Sequence, residues 1–561
     1  MALHSESQAE EYYNLGSFHR SVSTDNGEAQ TWFSRGLTWC YAFNHEEAVE
    51  CFERVISFDA GCAMAYWGLA YALGPNYNKP WEFFDAEELE STVSRTHNAV
   101  EQAKLKAINS TPVEKALINA LEFRYPQPQA PGDCSVWNEP YANAMGSVYA
   151  LFPDDLDVAT LYADALMNLT PWRLWDLKTG YPMEGSRTLE AKAIFDRALS
   201  QPGALQHPGL LHLYIHLMEM SGKPEVALPI ADNLRGLIPD AGHLQHMPTH
   251  LDILCGDYRR AISSNYDAIR ADEKFLARAG PLKFYTLYRS HDYHFRIYAA
   301  MFAGQSRIAL ETISWLEASV PEQLLRIESP PMADWLEAFL GMRVHVLIRF
   351  GQWNEVIDMN LPRDQNLYCM TTALMHYGKG VALAATGRVE EAEKGRRAFH
   401  DAVKRVKPSR TLFNNTCLDI LAVAASMLEG EIEYRKGNFE AAFTHLRQSI
   451  ALDDALPYDE PWGWMQPPRH AYGALLLEQG RIEEAAAIYS ADLGMDDTLP
   501  RALQHPNNVW ALQGYHECLM KLGRSAEARI LKPQLTLATA MADVPIESSC
   551  FCRSSTVGNT K

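Results

Sequence analysis

The sequence predicts an all-α protein, a solenoid of helical hairpins wound as a right-handed superhelix. Three observations support this prediction. The chain has 561 residues, which is too long for one compact core. Turn glycines followed five positions later by a small residue recur 34 to 50 residues apart, the length of one helix–turn–helix unit with a variable loop. Aromatic and Pro-rich stretches elsewhere predict long loops over the concave groove.

The turn glycines are the most regular feature of the chain. Glycine suits the left-handed residue that ends a helix, and alanine five positions later lets two helices approach closely. Together they predict tetratricopeptide-like hairpins. The pattern occurs at Gly222, Gly256, Gly304, Gly351, Gly387, Gly437, Gly480 and Gly523, with valine in the alanine position after Gly351.

The predicted organisation follows the regularity of these repeats. The last residues have no period, which is typical of a disordered tail. Trp81, Trp172 and Trp175 in the irregular part either pack in the core or wall the groove. In chain order we expect an N-terminal arm (1–30), N-terminal helical repeats (31–125), an irregular helical segment with aromatic loops (126–205), His-rich repeats (206–320), C-terminal helical repeats (321–540) and the disordered tail (541–561).

Composition and charge exclude several function classes. With 50 Lys and Arg against 70 Asp and Glu, the formal charge is -20, which disfavours nucleic acid or an anionic membrane as partner. Ten scattered cysteines without a CxxC pair are typical of a reduced intracellular protein. The first residues do not resemble a signal peptide, and no long uninterrupted apolar stretch occurs. We therefore expect an unanchored cytoplasmic protein.

Histidines are concentrated in one part of the chain. Eight of the 19 lie between residues 207 and 294, where an even spread would place about three. Seven of these eight stand thirteen, ten or six residues before a turn glycine, and such positions share one helix face. Equivalent positions on stacked repeats become neighbours. We therefore predict one cluster of His212, His216, His243, His246, His250, His291 and His294.

The chemistry of such a cluster is metal binding. Imidazole suits Zn, Cu, Fe and Ni, and histidines four apart on a helix can hold one ion. We expect Zn²⁺, with copper or another divalent transition metal as the alternative. Glu219 has three open roles: ligand, acceptor that fixes a histidine tautomer, or general base. Tyr288 and Asp292 are further candidates for proton transfer.

Two other interpretations of the histidines stay open. A histidine on a half-apolar helix face is commonly a packing residue with satisfied hydrogen bonds. A polar peptide-binding groove without metal is the other interpretation. His345, His376 and His470 lie on other repeats and are not predicted to be ligands. The aromatic segment 458–470 has the same ambiguity, with Arg469 as a candidate contact for an anion or a carbonyl group.

The His-rich and aromatic stretches resemble a known family. "AYWGLAYALGPNYNKPW", "ALMNLTPWRLWD", "HPGLLHLYIHLMEMSGKPEVAL", "AGHLQHMPTHLDILCGDYRRAISSN" and "YRSHDYHF" are similar, in that order, to large tetratricopeptide-repeat proteins of bacteria and filamentous fungi, related in outline to the animal tetratricopeptide-repeat protein 38 type. The resemblance spans about residues 30 to 530. The family more usually carries asparagine where this chain has Asp292.

The resemblance extends to the fungal cyclopenases, zinc-dependent enzymes of quinolone alkaloid biosynthesis. It implies a metal-dependent lyase or hydrolase that contracts a cyclopenin-type benzodiazepinedione epoxide to a viridicatin-type quinolone, with loss of methylamine and CO₂. The expected ligand is a small aromatic substrate, and a homodimer stays open. Two alternatives remain. One is a non-catalytic scaffold that binds a peptide or protein in its concave groove. The other is a copper-dependent oxidase, which requires two clustered histidine triads.

Overall fold

The computed structural model describes residues 12–553, and it confirms the all-α architecture of stacked helical hairpins. The N-terminal part holds eight α-helices. They are α1 (Gly27–Tyr41), α2 (His45–Phe58), α3 (Ala63–Leu73), α4 (Ala86–Lys106), α5 (Pro112–Leu121), α6 (Asn138–Leu151), α7 (Leu156–Met167) and α8 (Thr188–Leu199).

The middle of the chain carries the helices that hold most of the histidines. They are α9 (Pro208–Glu219), α10 (Leu228–Leu234), α11 (Gly242–His246), α12 (Pro248–Leu254), α13 (Tyr258–Ala279), α14 (Thr286–Phe302), α15 (Ser306–Ser319), α16 (Glu322–Leu325), α17 (Met332–Leu336), α18 (Met342–Arg349) and α19 (Trp353–Asp358).

The C-terminal part continues the hairpins and includes two very short strands that pair antiparallel. Its helices are α20 (Cys369–Ala385), α21 (Val389–Val403), α22 (Cys417–Arg435), α23 (Phe439–Asp454), α24 (Pro468–Glu478), α25 (Ile482–Asp492), α26 (Val509–Lys521) and α27 (Ser525–Met541), and its strands are β1 (Thr411–Leu412) and β2 (Asn415–Thr416).

The turn glycines join the two helices of each hairpin, as predicted. Seven of the eight have a positive φ, such as the +70° of Gly304 between α14 and α15, which is the left-handed region that favours glycine. Gly222 is the exception. A Cβ atom at Gly222 would lie 3.4 Å from the Cα atom of Gly180. Glycine at that position is therefore not required by a left-handed turn, and a Cβ atom there would make only an ordinary van der Waals contact.

Local sequence explains how α9 and α11 are placed. The backbone N–H of Leu210 donates to Nδ1 of His207, and Nε2 of His207 lies 3.0 Å from Oδ1 of Asp157. The histidine thus caps α9 and ties it to α7. Gly242 begins α11, and a Cβ atom there would lie 1.9 Å from a carboxylate oxygen of Asp272. Glycine therefore allows α11 to pack directly on α13.

The C-terminal hairpins pack back against the middle of the chain. Nε1 of Trp510 on α26 donates to the carbonyl oxygen of Met301 on α14, at 2.7 Å. The hydroxyl of Tyr258 on α13 donates to the carbonyl oxygen of Pro506, at 3.0 Å. Hairpins more than 200 residues apart in sequence are therefore direct neighbours.

The predicted disordered tail (541–561) is wrong for residues 541–553, which end α27 and pack on the hairpins. The backbone N–H of Ser306 donates to Oδ1 of Asp543, at 2.7 Å. The buried guanidinium of Arg349 donates to the carbonyl oxygen of Ser549, at 2.5 Å. A buried cation needs such acceptors, and this requirement leaves no periodic signal in the sequence. Residues 554–561, like 1–11, lie outside the described residues.

The structure bears on the predicted redox state of the cysteines and on the predicted lack of a membrane-spanning helix. Cys550 and Cys552 form a disulfide, whereas the other cysteines are free thiols. The expectation that all ten are reduced is therefore wrong for this pair. Within residues 12–553, every helix is too short or too polar to cross a bilayer.

Candidate metal centre

Three consecutive hairpins bring six of the seven predicted histidines together. The first helices of these hairpins are α9, the interrupted pair α11 and α12, and α14. In each of two groups, the donor atoms of three buried histidines lie within 4.8 Å of one another. The first triad is His212, His216 and His243, and the second triad is His246, His250 and His291.

In the first triad, the ring of His212 has a defined tautomer. Its Nδ1 lies 2.6 Å from the carbonyl oxygen of Tyr41, which can only accept, so Nδ1 carries the hydrogen. Burial lowers the pKa of His212 to about 3, so the ring is neutral. Its free Nε2 lies 3.1 Å from Nε2 of His243. Nε2 of His216 and Nδ1 of His243 are buried without a hydrogen-bond partner among residues 12–553.

In the second triad, two ring nitrogens face one another closely. Nε2 of His246 lies 2.7 Å from Nε2 of His250. Oδ1 of Asn265 accepts from Nδ1 of His246 at 2.7 Å, because the Asn265 amide nitrogen is turned away to donate to Thr249 and Ala261. Burial lowers the pKa of His246 to about 4. The ring is therefore neutral, and its Nε2 points a lone pair at His250.

Glu219 joins the two triads. Its Oε1 lies 2.9 Å from Nδ1 of His216, and its Oε2 lies 2.6 Å from Nδ1 of His250. A carboxylate that accepts from both Nδ1 atoms leaves both Nε2 atoms free to bind a metal ion. Of the three roles open to Glu219, this geometry matches the acceptor that fixes histidine tautomers.

The arrangement fits a metal better than simple packing. Buried polar atoms are normally paired, yet several imidazole nitrogens here have no donor to accept from. Nε2 of His246 and Nε2 of His250 lie at hydrogen-bond distance, 2.7 Å, so one of the two rings carries its hydrogen on Nε2 unless an ion is bound. Histidines that bind a metal through one ring nitrogen commonly donate from the other to an oxygen, as the rings held here through Nδ1 do. The residues present therefore fit a transition-metal centre.

A second carboxyl group, missed by the sequence analysis, adjoins the centre. Oε2 of Glu460, in the loop before α24, lies 2.7 Å from Nδ1 of His250. Burial, and then the neighbouring Glu460, raise the pKa of Glu219 well above its ordinary value. The aromatic segment 458–470 was recognised as unusual, but its contact with residues 219 and 250 is visible only in the folded chain.

Tyr288 and Asp292 lie beside the triads in different ways. The ring of Tyr288 is 5.0 Å from that of His243, between centroids, and its hydroxyl bonds to the Asn78 side chain. Oδ1 of Asp292 is 3.4 Å from Nδ1 of His246, on the side already occupied by Asn265. Burial and the adjacent Asp272 raise the pKa of Asp292 well above its ordinary value.

His294 is not brought into either triad, so that part of the predicted cluster is wrong. Its Nε2 lies 2.8 Å from Sδ of Met465, and its ring packs against Phe339. Burial lowers the pKa of His294 to about 3. It lies one turn beyond His291 on α14, where the segment 458–470 already fills the concave side.

The triads are buried, not displayed on an open groove. The ring centroid of Phe43 lies 4.5 Å from that of His212, and Phe43 also stacks on His216 and His243. Tyr77 and Trp172 cover the other side of His216. All six histidines are at most 1% exposed except His291, at 8%. Loops therefore close the surface on which the sequence places the cluster.

One cleft leads from solvent to the second triad. It reaches His250 and His291, and the space between its walls is about 720 Å³, including the part open to solvent. Its apolar walls include Trp172, Phe284, Leu287, Tyr288, Trp335 and Phe413. The loop between β1 and β2 carries Phe413, so this small hairpin forms part of the cleft.

The other residues singled out from the sequence have structural roles. Trp175 donates from Nε1 to the carbonyl oxygen of Leu217 at 2.6 Å, and Trp81 packs on Trp137. Arg469 is paired with Asp454 through both terminal nitrogens, so the anion-contact prediction is wrong.

The remaining histidines lie away from the triads. His345 packs on Trp464, and Nε2 of His470 lies 2.9 Å from Oδ2 of Asp492. His376 is on α20, at the surface of the C-terminal hairpins.

Comparisons with known proteins find solved structures of low sequence identity and low TM-score. No protein-family model and no curated protein matches the chain. Similar solved structures include the APC/C hetero-tetramer Cut9-Hcn1 (14% identity, 86% of this chain and 76% of that chain, TM-score 0.31). Another is the human IFIT1 dimer with m7Gppp-AAAA (11% identity, 85% of this chain and 90% of that chain, TM-score 0.33). A third is yeast Tom70 (10% identity, 91% of this chain and 99% of that chain, TM-score 0.28). At these scores the similarities carry no argument about family, partner or function.

Proposed function

We propose that the protein is a metal-dependent enzyme that binds transition-metal ions at the two triads and a small aromatic substrate in the cleft. The observation that carries this proposal is the pair of adjacent buried triads, in each of which the donor atoms of three histidines lie within 4.8 Å of one another. Oxygen acceptors hold Nδ1 of His246 and Nδ1 of His250. Three imidazoles at this spacing, oriented by such contacts, form a donor set suited to one transition-metal ion.

The two triads are suited to different tasks. Phe43, Tyr77 and Trp172 enclose the first triad, which favours a structural ion or one reached only through the second triad. The second triad meets the cleft through His250 and His291. An ion with an open position there would polarise a carbonyl group or activate water. Tyr288 and Glu460 line the same cleft and can orient a substrate or move its protons.

The metal and the reaction are narrower parts of the proposal. Zinc is the first choice from the resemblance, which also supplies the cyclopenin-type ring contraction with loss of methylamine and CO₂. The aromatic walls of the cleft are compatible with a substrate carrying aryl rings. Two adjacent triads of three histidines are also the donor set that the copper-oxidase alternative requires. That observation keeps a copper enzyme as the second candidate.

The scaffold alternative rests on the helical-repeat architecture. A peptide-binding solenoid presents an extended groove. Here the concave side is filled around the triads, and the opening that remains is a narrow cleft with mostly apolar walls, not an extended groove. A protein partner on another surface is compatible with this arrangement, but it would not explain the buried histidines.

Metal analysis tests the proposal. Protein purified without added metal is expected to carry zinc or copper, measured by mass spectrometry, with up to two equivalents because there are two triads. His250→Ala should lower the metal content, whereas His345→Ala, an equally buried histidine elsewhere, should not. Circular dichroism checks that both variants fold. No bound metal, together with no binding of added Zn²⁺, Cu²⁺ or Cu⁺, would leave the scaffold alternative.

A further inference from the structure

The inner end of the cleft contains a carboxyl group with a free oxygen. Glu460 is 2% exposed and lines the cleft. Its Oε2 lies 2.7 Å from Nδ1 of His250, and its carboxyl group also contacts that of Glu219. Oε1 has no hydrogen-bond partner of its own in the described part of the chain, residues 12–553. A buried acceptor of this kind is costly unless a ligand supplies a donor.

A second carboxyl group is held beside the first. Asp459 also lines the cleft and is buried. Its Oδ2 accepts from the backbone N–H of Asn414 at 3.2 Å and from the side-chain amide of Asn415 at 3.0 Å. These contacts fix the loop between β1 and β2 against the segment 458–470. Two adjacent acidic residues therefore form one rigid end of the cleft.

The remaining walls supply rings and no positive charge. Among the described residues that line the cleft, none is lysine or arginine. Lys79, the nearby cation, is paired with Glu88 and lies over the rings of Phe84 and Phe284. Aromatic faces such as those of Trp172 and Trp335 can hold a substrate ring and also attract a cation.

We infer that the cleft binds an arylalkylamine in its ammonium form, with the ammonium group at Oε1 of Glu460 and the aryl group between the aromatic walls. This inference rests on the proposed function, because it takes the cleft as the substrate site. Glu460 contacts the Nδ1 side of His250, whereas a metal ion would be bound on the Nε2 side. The imidazole ring therefore separates the two positive charges.

Carboxylates disfavour the opposite substrate class. Burial raises the pKa of both Asp459 and Glu460 well above their ordinary values, so a bound ammonium group would stabilise the ionised carboxylate, whereas an anionic aryl compound would oppose its ionisation. A neutral alcohol could donate one hydrogen bond to Glu460 but would lack the charge attraction. The expected order of affinity is amine, then alcohol, then carboxylate.

Calorimetric titration of the purified full-length protein tests this order with three probes of similar shape. The probes are 2-phenylethylamine, 2-phenylethanol and 3-phenylpropanoate. We expect the amine to bind at least about ten-fold more tightly than the alcohol, and the carboxylate to bind most weakly. Glu460→Gln should weaken amine binding about ten-fold and change alcohol binding less than about two-fold. Glu484→Gln, which removes the same charge from an exposed ion pair with Arg481, is the matched control and should change neither.

The outcomes separate this inference from the proposed function. Carboxylate binding as tight as amine binding, no binding of any probe, or equal effects of Glu460→Gln and Glu484→Gln would overturn the inference. The comparison of probes on the unaltered protein decides the matter even if Glu460→Gln does not fold. Amine binding in a protein shown to hold no metal would retain the inference and remove the enzyme proposal. Bound metal without a preference for the amine would retain the enzyme proposal and remove the inference about the amine.

Discussion

Replacing Glu219 with glutamine tests whether this residue orients both triads. The carboxylate accepts from Nδ1 of His216 at 2.9 Å and from Nδ1 of His250 at 2.6 Å. Glutamine keeps one oxygen but replaces the other with an NH₂ group, which cannot accept. One histidine would then face a donor with its own N–H. Its ring must move the hydrogen to Nε2, and that nitrogen can no longer bind a metal ion.

The size and the location of the effect follow from these distances. Nδ1 of His250 has a second acceptor in Oε2 of Glu460, at 2.7 Å, so the glutamine oxygen should stay at His216 and its NH₂ group should face His250. Loss of such a partner typically lowers metal affinity 10- to 100-fold, which corresponds to about 1.4 to 2.7 kcal/mol. The second triad should therefore lose affinity by up to that factor, while the first triad keeps its ion.

Competition between the protein and a chromophoric zinc chelator measures the two affinities. Glu337→Gln is the matched control, because Glu337 is also buried and accepts from two donors, the backbone N–H groups of Met370 and Thr371. It should lower stability without changing metal affinity. Affinities in Glu219→Gln within two-fold of the unaltered protein would refute the orienting role. Loss of a full equivalent of metal would instead identify Glu219 as a ligand.

Three further predictions concern stability. Gly351→Ala should destabilise the fold more than Gly387→Ala in chemical unfolding, because both have positive φ but only the former places Cβ against Phe551, at 2.7 Å; equal effects would contradict this. His345→Phe should gain stability relative to the unaltered protein by about 1.4 kcal/mol per pH unit as pH falls below about 6.5. The reason is that burial lowers the pKa of His345 to about 3. The neutral histidine therefore stabilises the fold above pH 6.5, and that contribution is lost on acidification. A difference in unfolding free energy that does not depend on pH would contradict this prediction. Removing bound metal with a chelator should lower the unfolding temperature, because an ion at a free concentration of 100 times its Kd stabilises the fold by about 2.7 kcal/mol. Adding the ion back should restore the unfolding temperature.

Periodic features of the fold could be predicted from the sequence. Gly256 and Gly304 mark helix ends because the left-handed conformation selects glycine, and that selection acts at single positions. The same register placed six histidines on one face, because helix geometry fixes which offsets are neighbours. His294 fits the offset but not the cluster, since its surroundings are set by Met465, which is 171 residues away.

Contacts between distant segments could not be predicted in this way. Glu460 belongs to a loop without period, and nothing in its own neighbourhood indicates that it lies beside His250. The ordered tail is a similar case, because Ser549 is held by Arg349 and by the carbonyl oxygen of His470, both distant in sequence. The burial of the triads also escaped prediction. It depends on Phe43 and on other loop residues that cover a face which a bare solenoid would leave open.

This chain is not an open solenoid, because distant hairpins are in direct contact. Trp510 bonds to Met301, and Tyr258 bonds to Pro506. In an open solenoid each unit touches only its neighbours, so units can be gained or lost during evolution and can unfold one after another. Here an inserted or deleted hairpin between α14 and α26 would pull these pairs out of register. The number of hairpins in that stretch is therefore fixed by geometry. Hydrogen exchange should show α13, α14 and α26 opening together as one cooperative unit, and not as separate repeats.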